Sequence, residues 1–209
     1  MLNFRRTVCL CLCGAVAVTV ILSYLKLSQR TTQPNLASAE KRMRLLCQRK
    51  GLPFPPPDRK VIVMKSQRKL ILLSSKRVLK EYKVALSYNP IGDKEREGDG
   101  KVPEGEFYVC EKHPSRNFHL FIGISYPSVE DAERGLKQGL INRRQYDAIV
   151  NAIRNKKRPP WNTPLGGEIG LHGGGTNSDW TIGCIALEDS DVEELYVVLQ
   201  HGDPVLIKP

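Results

Sequence analysis

Apolar positions over residues 59–124 fall in short runs or alternate with polar ones, the period-two pattern of half-buried strands. Residues 61–64, 70–73 and 78–86 read as a β meander with short polar turns, and 107–110 and 118–124 resume the strands after a charged, glycine-rich loop at 89–106. In that loop Val102, Pro103, Glu104 and Gly105 fit a type I turn. The period then changes to helical. Tyr146, Ile149, Val150 and Ile153 form one stripe behind Asn142 and Gln145, a capping box, and a shorter helix is expected from Ser128 to Gln138. These helices either wall a substrate groove or cover an end of the sheet. A further capping box, Ser190 with Glu193, opens a helix buried along Val192, Leu195, Tyr196 and Leu199; Gly202 stops it, and 204–208 reads as the last strand. The pattern predicts one mainly β domain with inserted helices (α+β) over residues 59–209, long enough for a self-sufficient core.

The N-terminus follows another pattern. After a short basic start (1–6), the 19 residues 7–25 carry no charge and are closed by Lys26, long enough to span a bilayer core of about 30 Å. A cleaved signal peptide is the rival, but its best small-residue site, Ala37-Ser38-Ala39, lies far past the apolar run. The expectation is an uncleaved signal anchor. Residues 26–58 read as a stalk, basic at first and ending in the proline run 53–57, which favours extended, stiff chain, with a short helix possible from Ser38 to Arg49.

Charge sharpens this division. The net +10 is uneven: residues 1–58 hold nine Lys/Arg against two Asp/Glu, giving +7, and the remainder 23 against 20, giving +3. Anionic lipid head groups or wall polymers are partners to expect for the anchor and stalk, against the alternative of a merely solvated stalk. With 7% aromatics and no nucleic-acid module, no nucleic-acid partner is expected.

Three of the six cysteines lie in the apolar segment, leaving Cys47, Cys110 and Cys184. A Cys47–Cys110 bridge is possible in an oxidising compartment but nothing demands it. Cys110, His113 and His119 lack a fourth ligand and the usual paired spacing, so no metal and no cofactor are expected. Cys184 is different. It follows Thr181-Ile182-Gly183, and twelve residues before it His172 opens the run Gly173-Gly174-Gly175. If the two apolar runs 169–172 and 184–187 are adjacent antiparallel strands, His172 and Cys184 face each other with Cβ atoms roughly 4.5–5.5 Å apart. A thiol needs a nearby imidazole to become a useful nucleophile near neutral pH. A lone strand cysteine is more often a small buried hydrophobe, so spacing leaves both readings open.

The block LHGGG…DWTIGCIAL resembles the active-site signature of the L,D-transpeptidase catalytic domain (YkuD-type) family, in a branch with a DWTxGCIA-like nucleophile motif. NPIGDKEREGDGKVPEGEFYV, LFIGISYPSVEDAERGL and WNTPLGGEIGLHGGG resemble the stretches preceding it, so the likeness covers about residues 59–209. The resemblance implies a β-sandwich catalytic domain, here behind a transmembrane segment, acting on peptidoglycan stem peptides. It implies Cys184 as nucleophile, His172 as proton acceptor and donor, and the Gly173 carbonyl orienting the imidazole. The N–H groups of Gly183 and Cys184 are candidates for the oxyanion hole. Gly174, Trp180, Thr181 and Trp161 are candidates to line the groove, although a tryptophan is more often a core anchor. Asp179 reads as a loop cap.

Two positions depart from the family pattern: Ile182 stands where many members have histidine, and Ala186 where many have arginine. The implied activity is L,D-transpeptidation, with an acyl-enzyme passed to an amine. The alternatives are hydrolysis at the same site (L,D-carboxypeptidase or murein amidase) and a non-catalytic wall-binding module. The implied location is a bacterial inner membrane, single-pass, with the domain facing the periplasm or wall. No Gly-x-Ser-x-Gly elbow supports an α/β-hydrolase.

Overall fold

The computed structural model describes residues 33–209, of which Pro34–Pro209 form one unit. The expected membrane segment at 7–25 lies outside the described residues; among those described, no helix is long and apolar enough to cross a membrane.

The described chain opens with α1 (Leu36–Arg49), capped by the Asn35 side chain accepting from Ser38 N. Its buried residues, Ala39, Met43 and Cys47, are spaced four apart and so share one face. That face joins the main core, with Leu52 and, within the proline run, Phe54 packed against the same core. Residues 34–58 are therefore part of the folded unit, which corrects the expected stalk and its boundary at 59. The physical reason is the apolar stripe within an otherwise basic segment, covered by the domain rather than by solvent.

Eight strands follow the order β3-β2-β1-β8-β4-β5-β6-β7, in a mixed sheet with flanking helices. They are β1 (Arg59–Met64), β2 (Lys69–Ser74), β3 (Arg77–Lys83), β4 (Gly105–Ser115), β5 (His119–Ile124), β6 (Gly170–His172), β7 (Ile185–Ala186) and β8 (Pro204–Lys208). The β1–β2–β3 meander and the β4–β5–β6 pairs are antiparallel; β1–β8 and β6–β7 are parallel. The long strand β4 serves both halves. Its start pairs with β8, and from Val109 onward it pairs with β5, with an irregularity between Val109 and Glu111. Gly105 begins this strand in place of ending the expected type I turn. Just past β3, Ala85 bridges Ala186 and Ser87 bridges Thr181, so the two ends of the strand order meet. The core is Val, Leu and Ile from both halves, including Val61, Leu72, Ile122, Leu171, Ile185 and Ile207.

Helices α2 (Val129–Lys137) and α3 (Arg143–Arg154) start at the capping boxes Ser128/Asp131 and Asn142/Gln145. They bury Ala132, Ile141 and Ile149 around Leu165, a satellite core that supports the segment leading into β6. Helix α4 (Asp189–Val198) starts at N-cap Glu188 with no side-chain cap, so the expected Ser190/Glu193 box is absent. Glu193 is instead buried, accepting from Asn35 N at 2.7 Å and His119 Nε2 at 3.0 Å. Cys47 and Cys110 are free and buried, so the bridge between them is not formed.

Candidate active site

β6 and β7 are parallel, with Leu171 opposite Ile185 and His172 opposite Ala186. This corrects the expected antiparallel pair. The 12-residue connection 173–184 is a crossover long enough to return the chain to the same end of the sheet. It is tied down on the way: Trp180 N and Thr181 N both donate to Leu86 O, and Tyr88 N donates to Thr181 O. Asp179 caps this crossing as expected, accepting from Leu86 N at 2.9 Å and pairing with Arg68 at 2.6 Å. In this register Cys184 falls two residues before the partner of His172. Cys184 itself lies in the bend that enters β7 rather than in the strand, with the Gly170 N–H and the Glu168 carbonyl beside its thiol.

The imidazole is fixed. His172 Nδ1 lies 2.6 Å from Gly173 O. A carbonyl only accepts, so Nδ1 carries the hydrogen and Nε2 keeps its lone pair. The Phe118 ring covers His172 at 4.6 Å between centroids and Trp180 meets it edge-on at 5.4 Å. Burial lowers the imidazole pKa from its ordinary value, partly offset by the bond to Gly173. The ring is buried, and among the described residues only Nδ1 is hydrogen-bonded.

Cys184 is half-buried, and its thiol donates to Glu168 O at 3.3 Å. Burial pushes the thiol up to about 11, with the Glu168 charge adding and the Gly170 N–H and Lys94 partly offsetting. Glu168 has a left-handed backbone, φ +53°, unusual for a residue with a Cβ; it turns the carbonyl toward the sulfur. Thr181 is buried and its hydroxyl donates to Cys184 O at 2.7 Å, bracing the turn from within.

The glycines here have separate reasons. Gly183 has φ +148°, and a Cβ there would lie 2.9 Å from Ile169 Cδ1 and 3.3 Å from Lys101 O. Gly174, at φ +110°, leaves room for the Trp180 ring, which a Cβ would meet at 2.9 Å. Trp180 is partly exposed, with its indole N–H donating to Gly175 O. Ile182 is 79% exposed, and Tyr88 is exposed nearby on the chain paired with Thr181. Ala186 is fully buried opposite His172. Trp161 is placed otherwise: it stands edge-on to Phe121 and packs against Gly167, the residue before Glu168, whose carbonyl accepts from the Cys184 thiol. Sequence reasoning missed Phe118, His119, Glu168 and Asp189. The first two lie on an ordinary apolar strand pattern, and only tertiary structure gives the others their contacts.

The family model for YkuD, the L,D-transpeptidase catalytic domain, matches residues 58–207. Among solved structures, a variant of the helical cell shape determining protein Pgp2 from Campylobacter jejuni is 22% identical, over 73% of this chain and 47% of that one, with TM-score 0.51. Bd1075 from Bdellovibrio bacteriovorus is 19% identical over 73% and 48% of the two chains, with TM-score 0.47. An L,D-transpeptidase from Mycobacterium smegmatis is 10% identical over 73% and 59%, with TM-score 0.44. The chain thus spans about half the length of Pgp2, and that likeness concerns the fold. A search of curated proteins finds no match.

Proposed function

The chain belongs to the YkuD family of L,D-transpeptidase catalytic domains, and from that premise we propose that it is a cysteine-dependent acyltransferase acting on peptidoglycan stem peptides. The observation that carries this reading is the fixed His172 tautomer: Nδ1–H is held by Gly173 O, leaving Nε2 as the proposed base on the strand that pairs with β7, which Cys184 immediately precedes.

Substrate entry turns the thiol from Glu168 O toward His172. His172 Nε2 takes the proton as sulfur attacks the carbonyl between residues three and four of a tetrapeptide stem. A C–S bond forms, the oxyanion is met by the N–H groups of Gly183 and Cys184, and collapse breaks the C–N bond. The imidazolium returns its proton to the departing D-alanine amine. An amine acceptor then attacks the thioester, giving a cross-link and restoring the thiol. The groove is assigned to Gly174 and Trp180, with Trp161 on its flank; Thr181, expected to line it, is buried and braces the turn before Cys184 instead. The two halves of the sheet are read as the leaves of a sandwich, and residues 7–25 as a single-pass anchor in a bacterial inner membrane with the domain on the wall side. Anionic lipids are partners of the basic segment that follows.

Water in place of the amine makes the same site an L,D-carboxypeptidase or amidase. The exposed Ile182, where many relatives carry histidine, favours keeping this second reading. The test is intact-mass spectrometry of the full-length protein in detergent with disaccharide-tetrapeptide, beside Cys184→Ala. Adduct on the unsubstituted protein alone, with D-alanine released, supports the acyl-enzyme, and the products separate cross-linking from hydrolysis. Folded protein with reduced thiol and neither adduct nor product sinks it in favour of a different donor or a wall-binding module.

A further inference from the structure

A second histidine stands behind the first. The His119 side chain is largely covered, and its backbone has φ +65°, a strained conformation for a residue with a Cβ. Its ring lies between two carboxylates of α4: Nε2 is 3.0 Å from Glu193 Oε1, and Nδ1 is 3.9 Å from Asp189 Oδ2. The other Asp189 oxygen, Oδ1, accepts from Gly174 N at 2.9 Å. On the opposite side, Phe118 O accepts from Gly173 N at 3.0 Å. The Gly173–Gly174 backbone is therefore held at both amides by the 118–119 segment and its α4 partner. Its carbonyl is the group that fixes His172.

Gly173 itself shows how tight this bracket is. Its φ is not left-handed, so conformational freedom does not explain the glycine. A Cβ there would lie 2.4 Å from Asp189 Oδ1 and 3.0 Å from His119 Cβ. Close approach of the bracket explains it instead. Glu193 also accepts from Asn35 N and lies 3.7 Å from Arg42, so the far end of the bracket rests on α1.

We propose that Asp189, which accepts from Gly174 N, and the 118–119 segment, whose Phe118 carbonyl accepts from Gly173 N, position the Gly173 carbonyl against His172 Nδ1, with His119 fixed on Glu193 behind them, so that α1, His119 and the base form one connected support. This rests on the proposed role of His172, and its test is chosen to be separable from it. Neither His119 nor Asp189 touches the reacting atoms; each acts by limiting how far the carbonyl drifts. A loosened base spends less time aligned with the thiol, a cost of geometry that appears in kcat and leaves substrate binding nearly unchanged.

The experiment follows the His172 ring by 15N and 1H NMR in the full-length protein in detergent, with no substrate, for His119→Phe, His119→Gln and Asp189→Ala. The expected result is loss or accelerated exchange of the His172 Nδ1–H signal in His119→Phe and Asp189→Ala. His119→Gln, which keeps a donor for Glu193, is expected to recover part of it. In turnover assays kcat is expected to fall about tenfold with KM within about twofold. An unchanged Nδ1–H signal in folded Asp189→Ala overturns the proposal. That variant decides the matter if His119→Phe does not fold, because Asp189 sits partly exposed at the start of α4. Because the signal needs no substrate, failure of the acyl-transfer reading leaves this result interpretable.

Discussion

The Cys184 thiol points at the backbone carbonyl of Glu168, 3.3 Å away, while the imidazole of His172 is tied by its other nitrogen to Gly173. With burial holding the thiol up near 11 and the imidazole below its ordinary value, both groups are neutral at pH 7. In the proposed reaction, activation is then a substrate-dependent event, and no stored thiolate–imidazolium pair is required.

Alkylation tests this directly. The thiolate is the reactive form, so its fraction, and the rate of Cys184 modification by iodoacetamide, is expected to rise about tenfold per pH unit from about pH 7 to about pH 10. Peptide mapping separates Cys184 from the other cysteines. A plateau reached below about pH 8 would reveal a resting ion pair and defeat this account.

Gly183 predicts a second outcome. Gly183→Ala places a Cβ 2.9 Å from Ile169 Cδ1 on a backbone at φ +148°. Ile169 is buried, so it cannot simply swing away. Strain of this kind costs about 1–3 kcal/mol, and it moves the N–H groups proposed for the oxyanion. Loss of acylation by about 10²-fold or more is expected. Activity within threefold of the unsubstituted protein would remove Gly183 from the oxyanion hole.

The candidate pair and the helices beside it were legible because they are written in adjacent residues. The His-Gly and Gly-Cys strings gave the candidate pair, and the 3.6-residue stripe with Asn142 and Gln145 gave α3 with its cap. What failed depended on distant partners. Strand direction between β6 and β7 is set by the anchoring of residues 179–181 to Leu86, more than ninety positions earlier, and no local pattern contains it. Glu193 at N3 of a supposed capping box was drawn instead to His119 and Asn35. The proline run read as a spacer because its burial depends on α1, whose Ala39, Met43 and Cys47 spacing was hidden among charges.

That misreading yields a stability prediction. Met43 is 1% exposed in the main core, and Arg42 pairs with the buried Glu194 at 2.7 Å. Met43→Ala is expected to cost about 2–5 kcal/mol, lowering the thermal midpoint by roughly 5–15 °C. A chain shortened to begin at residue 59 should lose at least as much, since it uncovers the α4 face and strands Glu193 and Glu194 without their α1 partners. Equal midpoints for the shortened and full-length chains would restore the stalk.

Acid should open the loop beside Cys184 before the rest of the domain. Asp99 is pushed up by burial, but Lys94 Nζ at 2.8 Å and the N–H groups of Glu95, Arg96 and Lys101 outweigh this and hold it at about 2. Its folded pKa lies below the unfolded value, so its contribution is complete above about pH 4 and is lost as pH falls through about 2. The same loop carries Lys101 O against Gly183. Hydrogen exchange over residues 93–101 is therefore expected to show protection falling between about pH 4 and pH 2, ahead of β1 and β2. Asp99→Asn keeps the shape but leaves Lys94, 3% exposed, without its counter-charge. It should cost about 1.5–3 kcal/mol at pH 7 and flatten the acid limb. Simultaneous loss of protection in the loop and the central strands, unaltered by Asp99→Asn, would show that this carboxylate does not hold the wall of the site.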